Sequence, residues 1–163
     1  TTDRVKEALF SIIQFEIPGA TVLDLFGGTG QLGIEALSRG AKRAVFVDAG
    51  EPACRLIREN LKRTKLEADA TVIRSDYLDY LKRCRETFQI IFLDPPYAEV
   101  FLENALKRIT EIDILQSGGI IVAERPVGKD LPWEFEGFTR SKDYKYGKVL
   151  LTIYRKASSE NEL

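Results

Sequence analysis

The feature that most constrains the fold is a regular alternation of strand-like and helix-like segments. Short apolar runs rich in Val, Ile and Phe are each followed by a stretch whose apolar residues recur at helical spacing. The pairs lie at residues 21–26 and 30–38, 43–48 and 52–65, 71–74 and 77–84, and 88–93 and 99–115, with a further strand at 119–124. Strands that alternate with helices pair in parallel, so the pattern predicts an α/β fold with helices on both faces of one sheet.

The two ends of the chain depart from this rhythm. Apolar residues recur at helical spacing between Val5 and Ile13, which predicts an opening helix. Residues 138–144 and 148–154 are strand-like and meet around Gly147 with no room for a helix, so they predict a hairpin in which one strand runs antiparallel. The expected architecture is therefore a Rossmann-like, seven-stranded, mostly parallel sheet with an antiparallel strand in its C-terminal hairpin.

The domain organisation is expected to be simple. Residues 1–156 are predicted to form a single domain, and the polar and acidic residues 157–163 a flexible tail. The chain contains no methionine and its first residue already lies beside the opening helix, which indicates a chain trimmed at its N terminus. Its longest apolar runs are far too short to cross a bilayer, so no membrane partner is expected.

Residue types that are absent or rare exclude several kinds of chemistry. Histidine is absent, which excludes histidine bases, histidine triads and the usual zinc sites. The two cysteines, Cys54 and Cys84, lack metal-type spacing and are interpreted as reduced thiols of a cytoplasmic protein. A net charge of −1 argues against a uniformly basic nucleic-acid binder, but it does not exclude RNA as a partner.

A glycine-rich turn follows the first strand. Residues 24–33 read Asp-Leu-Phe-Gly-Gly-Thr-Gly-Gln-Leu-Gly, in which Gly28, Gly30 and Gly33 have the spacing of a dinucleotide-binding loop. The N–H groups of such a turn, together with the helix dipole, favour an anionic ligand group. Asp24 would nevertheless repel a pyrophosphate and attract a ligand ammonium, which favours an amino-acid nucleoside over NAD. A tight turn without a ligand is the alternative.

Acidic residues also end three later strands: Asp48, Asp76 and Asp94. The carboxyl ends of parallel strands meet at one edge of the sheet, where ligands bind, so these side chains are expected along one rim. An acid after the second strand can accept both hydroxyls of a ribose, and Asp76 can accept from the amino group of an adenine. Helix capping is the alternative for each acid, and above all for Asp76.

The run of residues 94–97, Asp-Pro-Pro-Tyr, follows the buried fourth strand. Two consecutive prolines remove two N–H donors and fix φ, so the carbonyl groups there are rigid acceptors. Acceptors beside an aromatic face suit the NH2 group of a planar base. The alternative is a Pro-Pro turn in which Asp94 only caps the next helix.

Taken together, these motifs resemble a known family. Residues 24–30 and 94–97 look like motifs I and IV of the S-adenosylmethionine-dependent amino-methyltransferases, which have the class I Rossmann-like fold. Residues 1–10, residues 33–41 and the pair Tyr146-Gly147 further resemble the RsmD family of bacterial 16S ribosomal RNA guanine-N2 methyltransferases. This resemblance runs from the first residue to about Lys156.

The resemblance implies S-adenosylmethionine as the cofactor, with S-adenosylhomocysteine as its product and no metal. It implies that the first-strand turn holds the methionine end of the cofactor, that Asp48 holds the ribose and that Asp76 holds the adenine. The turn residues implied are Asp24, Phe26, Gly27, Gly28 and Gly30.

The resemblance also implies how a target guanine would be held. Asp94 and the Pro95 carbonyl would accept from its N2 amine, Tyr97 would stack on the base, and Pro96 would contact it. Lys145 is a candidate substrate contact because of its charge and its place in the C-terminal hairpin, not because of the resemblance. The implied partner is 16S rRNA within a partly assembled small ribosomal subunit, and the chain is expected to act as a monomer. Two further lysines of the hairpin, Lys142 and Lys148, are candidates for phosphate contacts.

Three alternatives stay open. The same acceptor motif serves other planar amines, such as adenine N6 in DNA or a glutamine amide in protein. The glycine spacing with Asp48 could also belong to an NAD-dependent oxidoreductase, although that assignment leaves Asp24 and residues 94–97 unexplained. A binding module without catalytic activity is the third alternative.

Overall fold

The computed structural model describes residues 1–95, 98–128, 131, 134–135 and 137–157. Its helices are α1 (Asp3–Ile12), α2 (Gln31–Ser38), α3 (Glu51–Arg63), α4 (Tyr77–Arg83) and α5 (Ala98–Ile112). Its strands are β1 (Thr21–Asp24), β2 (Arg43–Asp48), β3 (Ala70–Arg74), β4 (Phe88–Leu93), β5 (Leu115–Pro126), β6 (Glu134–Phe135), β7 (Phe138–Tyr146) and β8 (Val149–Lys156). Of the predicted tail at 157–163, all but Ala157 lies outside the described residues.

All eight strands form one sheet, in the order β3-β2-β1-β4-β5-β8-β7-β6. The first five pair in parallel, whereas β8 runs antiparallel to both of its neighbours, β5 and β7. This arrangement confirms the predicted mostly parallel sheet with an antiparallel hairpin strand. The eighth strand, which was not predicted, is the two-residue β6 at the outer edge.

Two apolar clusters cover the two faces of the sheet. One contains buried residues of α1, α2 and α3, and the other contains buried residues of α4 and α5. Strand β4 supplies Ile90 and Phe92 to the first cluster and Ile91 and Leu93 to the second. Because β4 is buried on both faces, its sequence is a continuous apolar run rather than an alternating one.

The largest boundary differences from the sequence prediction lie at α5 and β5. The last helix was expected to continue to residue 115, but α5 ends at Ile112 because Asp113 adopts a left-handed φ of 57°. Strand β5 begins at Leu115 rather than at residue 119, and its pairing with β4 is irregular near Phe88. Gly118, with a φ of 77°, lies in this irregular part of the strand.

The longest helix in the described part of the chain is α5, with 15 residues. A helix that crosses a bilayer needs about 20 predominantly apolar residues. None of the helices described here combines the required length and apolar character.

Gly33 is essential to the packing of α2 against the sheet. A Cβ atom at this position would lie 2.3 Å from the ring of Phe46, which is fully buried on β2. We therefore expect Gly33→Ala to lower the free energy of unfolding by about 1–3 kcal/mol, measured by urea denaturation. Ser38→Ala, at an exposed position of the same helix, is the control and should stay within about 0.5 kcal/mol. Equal stability of both variants would show that the Phe46 ring can move aside.

Candidate active site

The parallel register brings the strand-end acids to one edge of the sheet. Asp24 and Asp48 are the last residues of the adjacent strands β1 and β2, and Asp94 directly follows β4 on the other side of β1. Asp76 follows β3, where the N–H of Ser75 donates to the backbone carbonyl of Asp48 at 3.0 Å. The structure thus places these predicted site residues along one rim, as expected.

Asp24 is the most deeply buried of these acids, with 1% of its surface exposed. Burial raises the pKa of its carboxyl well above the ordinary value. A hydrogen bond of 3.1 Å donated by the N–H of Gly33 lowers the pKa in part, and the negative charges of Asp94 and Asp48 raise it further. A buried carboxylate with two like charges nearby is stabilised by a positively charged ligand group. This position therefore favours a cation.

Asp48, on the neighbouring strand β2, stabilises the glycine turn through hydrogen bonds to its carboxylate. Its Oδ2 accepts the N–H of Gly28 at 3.0 Å, and its Oδ1 accepts the N–H of Gly50 at 2.9 Å. Two amides of the turn, those of Gly28 and Gly33, thus donate to carboxylates of the protein itself. The expectation that the N–H groups of this turn favour an anionic ligand does not hold for these two amides.

The turn is held in shape by further hydrogen bonds. The N–H of Gly27 donates to the carbonyl of Val47 at 2.9 Å, and the side-chain amide of Asn60 on α3 donates to the carbonyl of Thr29 at 2.9 Å. Gly28 and Gly30 have φ values of 59° and 81°, which L side chains rarely adopt. The turn is therefore preformed, with its glycines at positions where other residues would be strained.

A cavity of about 180 Å³ opens beside the turn. Three aromatic rings form an apolar wall: Phe26 and Phe101 are parallel with centroids 6.1 Å apart, and Tyr77 lies 5.0 Å from Phe26 and 5.2 Å from Phe101. Asp48 and Asp76 line the same cavity. Flat apolar walls with carboxylate acceptors suit a purine nucleoside, because the base can stack while its amino group and the ribose hydroxyls donate.

Asp76 also caps α4, as the alternative from the sequence allowed. Its Oδ2 accepts from the backbone N–H groups of Leu78 at 3.0 Å and Asp79 at 3.3 Å. Because the carboxylate also borders the cavity, capping orients it and does not exclude a ligand.

Asp94 lies beside an acid that the sequence reading missed, Glu124 of β5. The hydroxyl of Thr1 donates to Oδ2 of Asp94 at 2.7 Å and also contacts Oε2 of Glu124. Burial raises the pKa of Glu124; the bond from Thr1 lowers it, and the charge of Asp94 raises it again. Pro95 is buried next to Asp94, whereas the predicted residues Pro96 and Tyr97 lie outside the described residues.

A second cavity, of about 250 Å³, opens at Asp94. Its walls combine acceptors from Asp94 and Glu124 with the cationic side chains of Arg125 and Lys148. Lys145, the lysine predicted to contact substrate, is exposed on β7 and is not part of this wall. Of the hairpin lysines, Lys148 is the one that the fold brings to Asp94.

Arg125 is fixed in this wall by a buried network with the hairpin. Its Nε donates to the Thr152 hydroxyl at 3.3 Å, and its guanidinium lies 3.7 Å from the Asp143 carboxylate, which Arg140 also binds. Burial acts to raise the pKa of Asp143, but hydrogen bonds from Arg140 and Thr152 and the charges of both arginines hold it below the ordinary value. Asp143 is therefore ionised, and it ties β7 to β5 across β8.

Within the described ranges, no group of three or more acidic, cysteine or histidine side chains has a geometry that could hold a metal ion. Cys54 is buried and Cys84 partly buried, and both are free thiols. Burial raises the pKa of each thiol, so neither is an activated nucleophile.

The fold and the rim together define a class I methyltransferase architecture: a parallel sheet with a late antiparallel strand, a glycine turn after β1, and acids at the ends of β1, β2 and β4. The chain belongs to the RsmD family, since the family model described as "Conserved hypothetical protein 95" matches residues 1–155.

Relatives and solved structures agree with this assignment. A protein from Bacillus subtilis, YlbH, is 42% identical over 96% of this chain and 86% of its own length. Ribosomal RNA small subunit methyltransferase D of Escherichia coli is 31% identical over 99% of this chain and 82% of its own length. The structure of yhhF from Escherichia coli superposes with a TM-score of 0.90 at 29% identity, covering 98% of this chain and 89% of that one.

Proposed function

We propose that this chain transfers a methyl group from S-adenosylmethionine to the exocyclic N2 amine of a guanine in 16S rRNA. The observation that carries this proposal is the position of Asp24, buried next to Asp48 on one side and Asp94 on the other. A site for a cationic nucleoside and a site for a planar amine thereby meet on adjacent strands. Relatives named as small-subunit rRNA methyltransferases support rRNA as the substrate class.

The residues present fit S-adenosylmethionine. Asp24 would bind its ammonium group, Asp48 the ribose hydroxyls, and Asp76 the adenine amino group, while Phe26 and the glycine turn would border the ligand. Tyr77 and Phe101 add aromatic surface to the base site. When bound, the cofactor supplies a methyl group on a sulfonium, which is an activated leaving group.

The substrate site must change the geometry of a weak nucleophile. The lone pair of an exocyclic amine is delocalised into the base, so the nitrogen is planar. If the Asp94 carboxylate and the Pro95 carbonyl accept its two N–H bonds, the nitrogen becomes pyramidal and its lone pair is directed away from the ring. Tyr97 would stack on the base and contribute about 1–3 kcal/mol, and Pro96 would keep the motif rigid.

The proton balance needs no strong base. The nitrogen gains a methyl group and becomes acidic only as that bond forms, after which the Asp94 carboxylate or water accepts one proton. Such a reaction needs no imidazole, in agreement with a chain that contains no histidine.

The RNA must present the base unpaired. A guanine whose amine is hydrogen-bonded to the protein and whose face stacks on Tyr97 cannot remain paired in a duplex. The target must therefore be a loop nucleotide or a flipped nucleotide. We extend the proposal to a monomer that acts in the cytoplasm on a partly assembled small subunit, with Lys145 near the RNA backbone.

An NAD-dependent oxidoreductase is less well supported by the geometry. The amides of Gly28 and Gly33, which would bind a pyrophosphate, donate to Asp48 and Asp24 instead. Only an experiment can distinguish guanine N2 from other planar amines as the group that is methylated.

That experiment is methylation of 16S rRNA, naked or within partly assembled small subunits, with the modified nucleotide identified by mass spectrometry. We expect N2-methylguanosine, formed faster on the partly assembled subunit. Adenine methylation would refute the guanine assignment, and the absence of any methylated nucleotide on both substrates would refute the proposed function.

A further inference from the structure

Glu124 and Asp94 are carboxylates at equivalent positions in the register: Glu124 lies on β5, and Asp94 directly follows the neighbouring strand β4. The parallel register pairs Leu93 of β4 with Ala123 of β5, so the next residue of each chain segment points to the same face. Glu124 is 9% exposed, and the single hydroxyl of Thr1 reaches both side chains. The two acids are therefore close enough to bind adjacent donors of one ligand.

We propose that Glu124 determines base specificity: it accepts the N1–H of the target guanine while Asp94 accepts from the neighbouring N2 amine. This inference rests on the proposed function, because it names the residue that reads the base at that same site. Nothing in the catalytic chemistry of Asp94 and Pro95 requires a second acid. Recognition of the base edge gives the second acid a function.

The edge of each base explains the selectivity. Guanine presents two adjacent donors, N2–H and N1–H, followed by the acceptor O6. Adenine and cytosine carry an amine next to an unprotonated ring nitrogen, which is an acceptor. A carboxylate oxygen facing that nitrogen would lose a hydrogen bond and leave two acceptors opposed, which disfavours adenine and cytosine.

The cavity wall also matches the third group of the guanine edge. Lys148 lies in the turn directly before the hairpin strand β8 and lines the same cavity as Asp94 and Glu124. An ammonium donor there complements O6. Two carboxylate acceptors and a cationic donor in one wall are complementary to the two donors and the acceptor of the guanine edge.

The hydroxyl of Thr1 shows how the pair accepts a donor. It contacts Oδ2 of Asp94 and Oε2 of Glu124, so the second oxygen of each carboxylate can face a ligand in the cavity. Both carboxylates can thus keep their contact with Thr1 while they bind the base.

The test compares guanine with 2-aminopurine at the target nucleotide, in otherwise identical semisynthetic 16S rRNA. 2-Aminopurine keeps the amine at C2 but has an acceptor at N1 and no O6. We expect the wild-type chain to prefer guanine by well over tenfold in kcat/KM, and Glu124→Gln to reduce that preference by about tenfold, because a glutamine amide can donate to N1.

Two controls separate a specificity role from a structural one. Glu67→Gln, at an exposed position far from the rim, should keep the wild-type preference. Calorimetric binding of S-adenosylhomocysteine to the Glu124→Gln variant should be retained, which establishes that the variant is folded. An unchanged preference in Glu124→Gln, with or without a loss of rate, overturns this inference. Failure of the wild type to methylate guanine at all would instead refute the proposed function.

Discussion

Replacement of Asp94 by alanine should abolish methyl transfer to 16S rRNA while cofactor binding is largely retained. The carboxylate is the acceptor expected to make the target amine pyramidal, and its removal leaves only the Pro95 carbonyl. The loss of one such positioned group costs about 10²–10³-fold in rate. Transfer of a radiolabelled methyl group, measured beside calorimetric titration with S-adenosylhomocysteine, separates the two effects.

Two further variants make the Asp94 result interpretable. Asp94→Asn keeps one acceptor oxygen without the charge, so we expect a rate between those of the wild type and the alanine variant. Asp69→Ala, at an exposed position in the 3-10 turn before β3, should transfer methyl groups at the wild-type rate. Undiminished transfer by Asp94→Ala would refute the role assigned to this carboxylate.

A different effect is expected from Asp24→Asn: weaker cofactor binding together with a more stable protein. Loss of the negative charge should lower the affinity for S-adenosylmethionine at least about tenfold, because the ligand ammonium loses its buried partner. The asparagine oxygen can still accept the N–H of Gly33, so the turn after β1 keeps its hydrogen bond.

The stability effect of Asp24→Asn has a defined pH dependence. The pKa of Asp24 is raised in the folded state, so the folded protein binds a proton that the unfolded chain has already lost. The free energy of unfolding of the wild type therefore falls as the pH rises from the ordinary carboxyl pKa of about 3.9 through the raised value. Asparagine does not titrate, so this decline should be smaller in the variant.

Urea denaturation at a series of pH values that begins below the ordinary carboxyl pKa of about 3.9 and rises from there measures the Asp24 effect, because the decline in stability begins at that pKa. Asp69→Asn is the matched control, because its carboxylate is exposed. Parallel pH profiles for the wild type and Asp24→Asn would contradict the assigned burial cost.

In calorimetric titration NAD should not bind the wild type, and binding of NAD would revive the oxidoreductase alternative.

The acids at the strand ends could be predicted from the sequence because each directly follows a recognisable apolar run. The same rule applied to the fifth strand would have selected Glu124, which is the acid that ends the predicted segment 119–124. Strand register, which pairs Leu93 with Ala123, is what shows its proximity to Asp94.

Other parts of the site depend on contacts that no local pattern reports. Phe101 reaches the cavity beside the glycine turn from the first turn of α5, where its spacing is indistinguishable from that of core residues. Arg125 and Asp143 lie 18 positions apart and meet only because β8 returns between β5 and β7. The mostly parallel sheet with a late antiparallel strand was predictable, since connection rules leave only a handful of topologies for five strand patterns and a hairpin.

The position of β8 has a consequence for how the chain reaches its native state. The last strand in the described part of the chain lies inside the sheet, between β5 and β7, so residues 149–156 must be synthesised before β5 gains its second neighbour. Until then β5 is an open edge whose residues 120–123 are apolar on both faces, and such an edge is prone to pair with other chains. Nascent chains that stall before residue 149 are thus the form of this protein most exposed to aggregation.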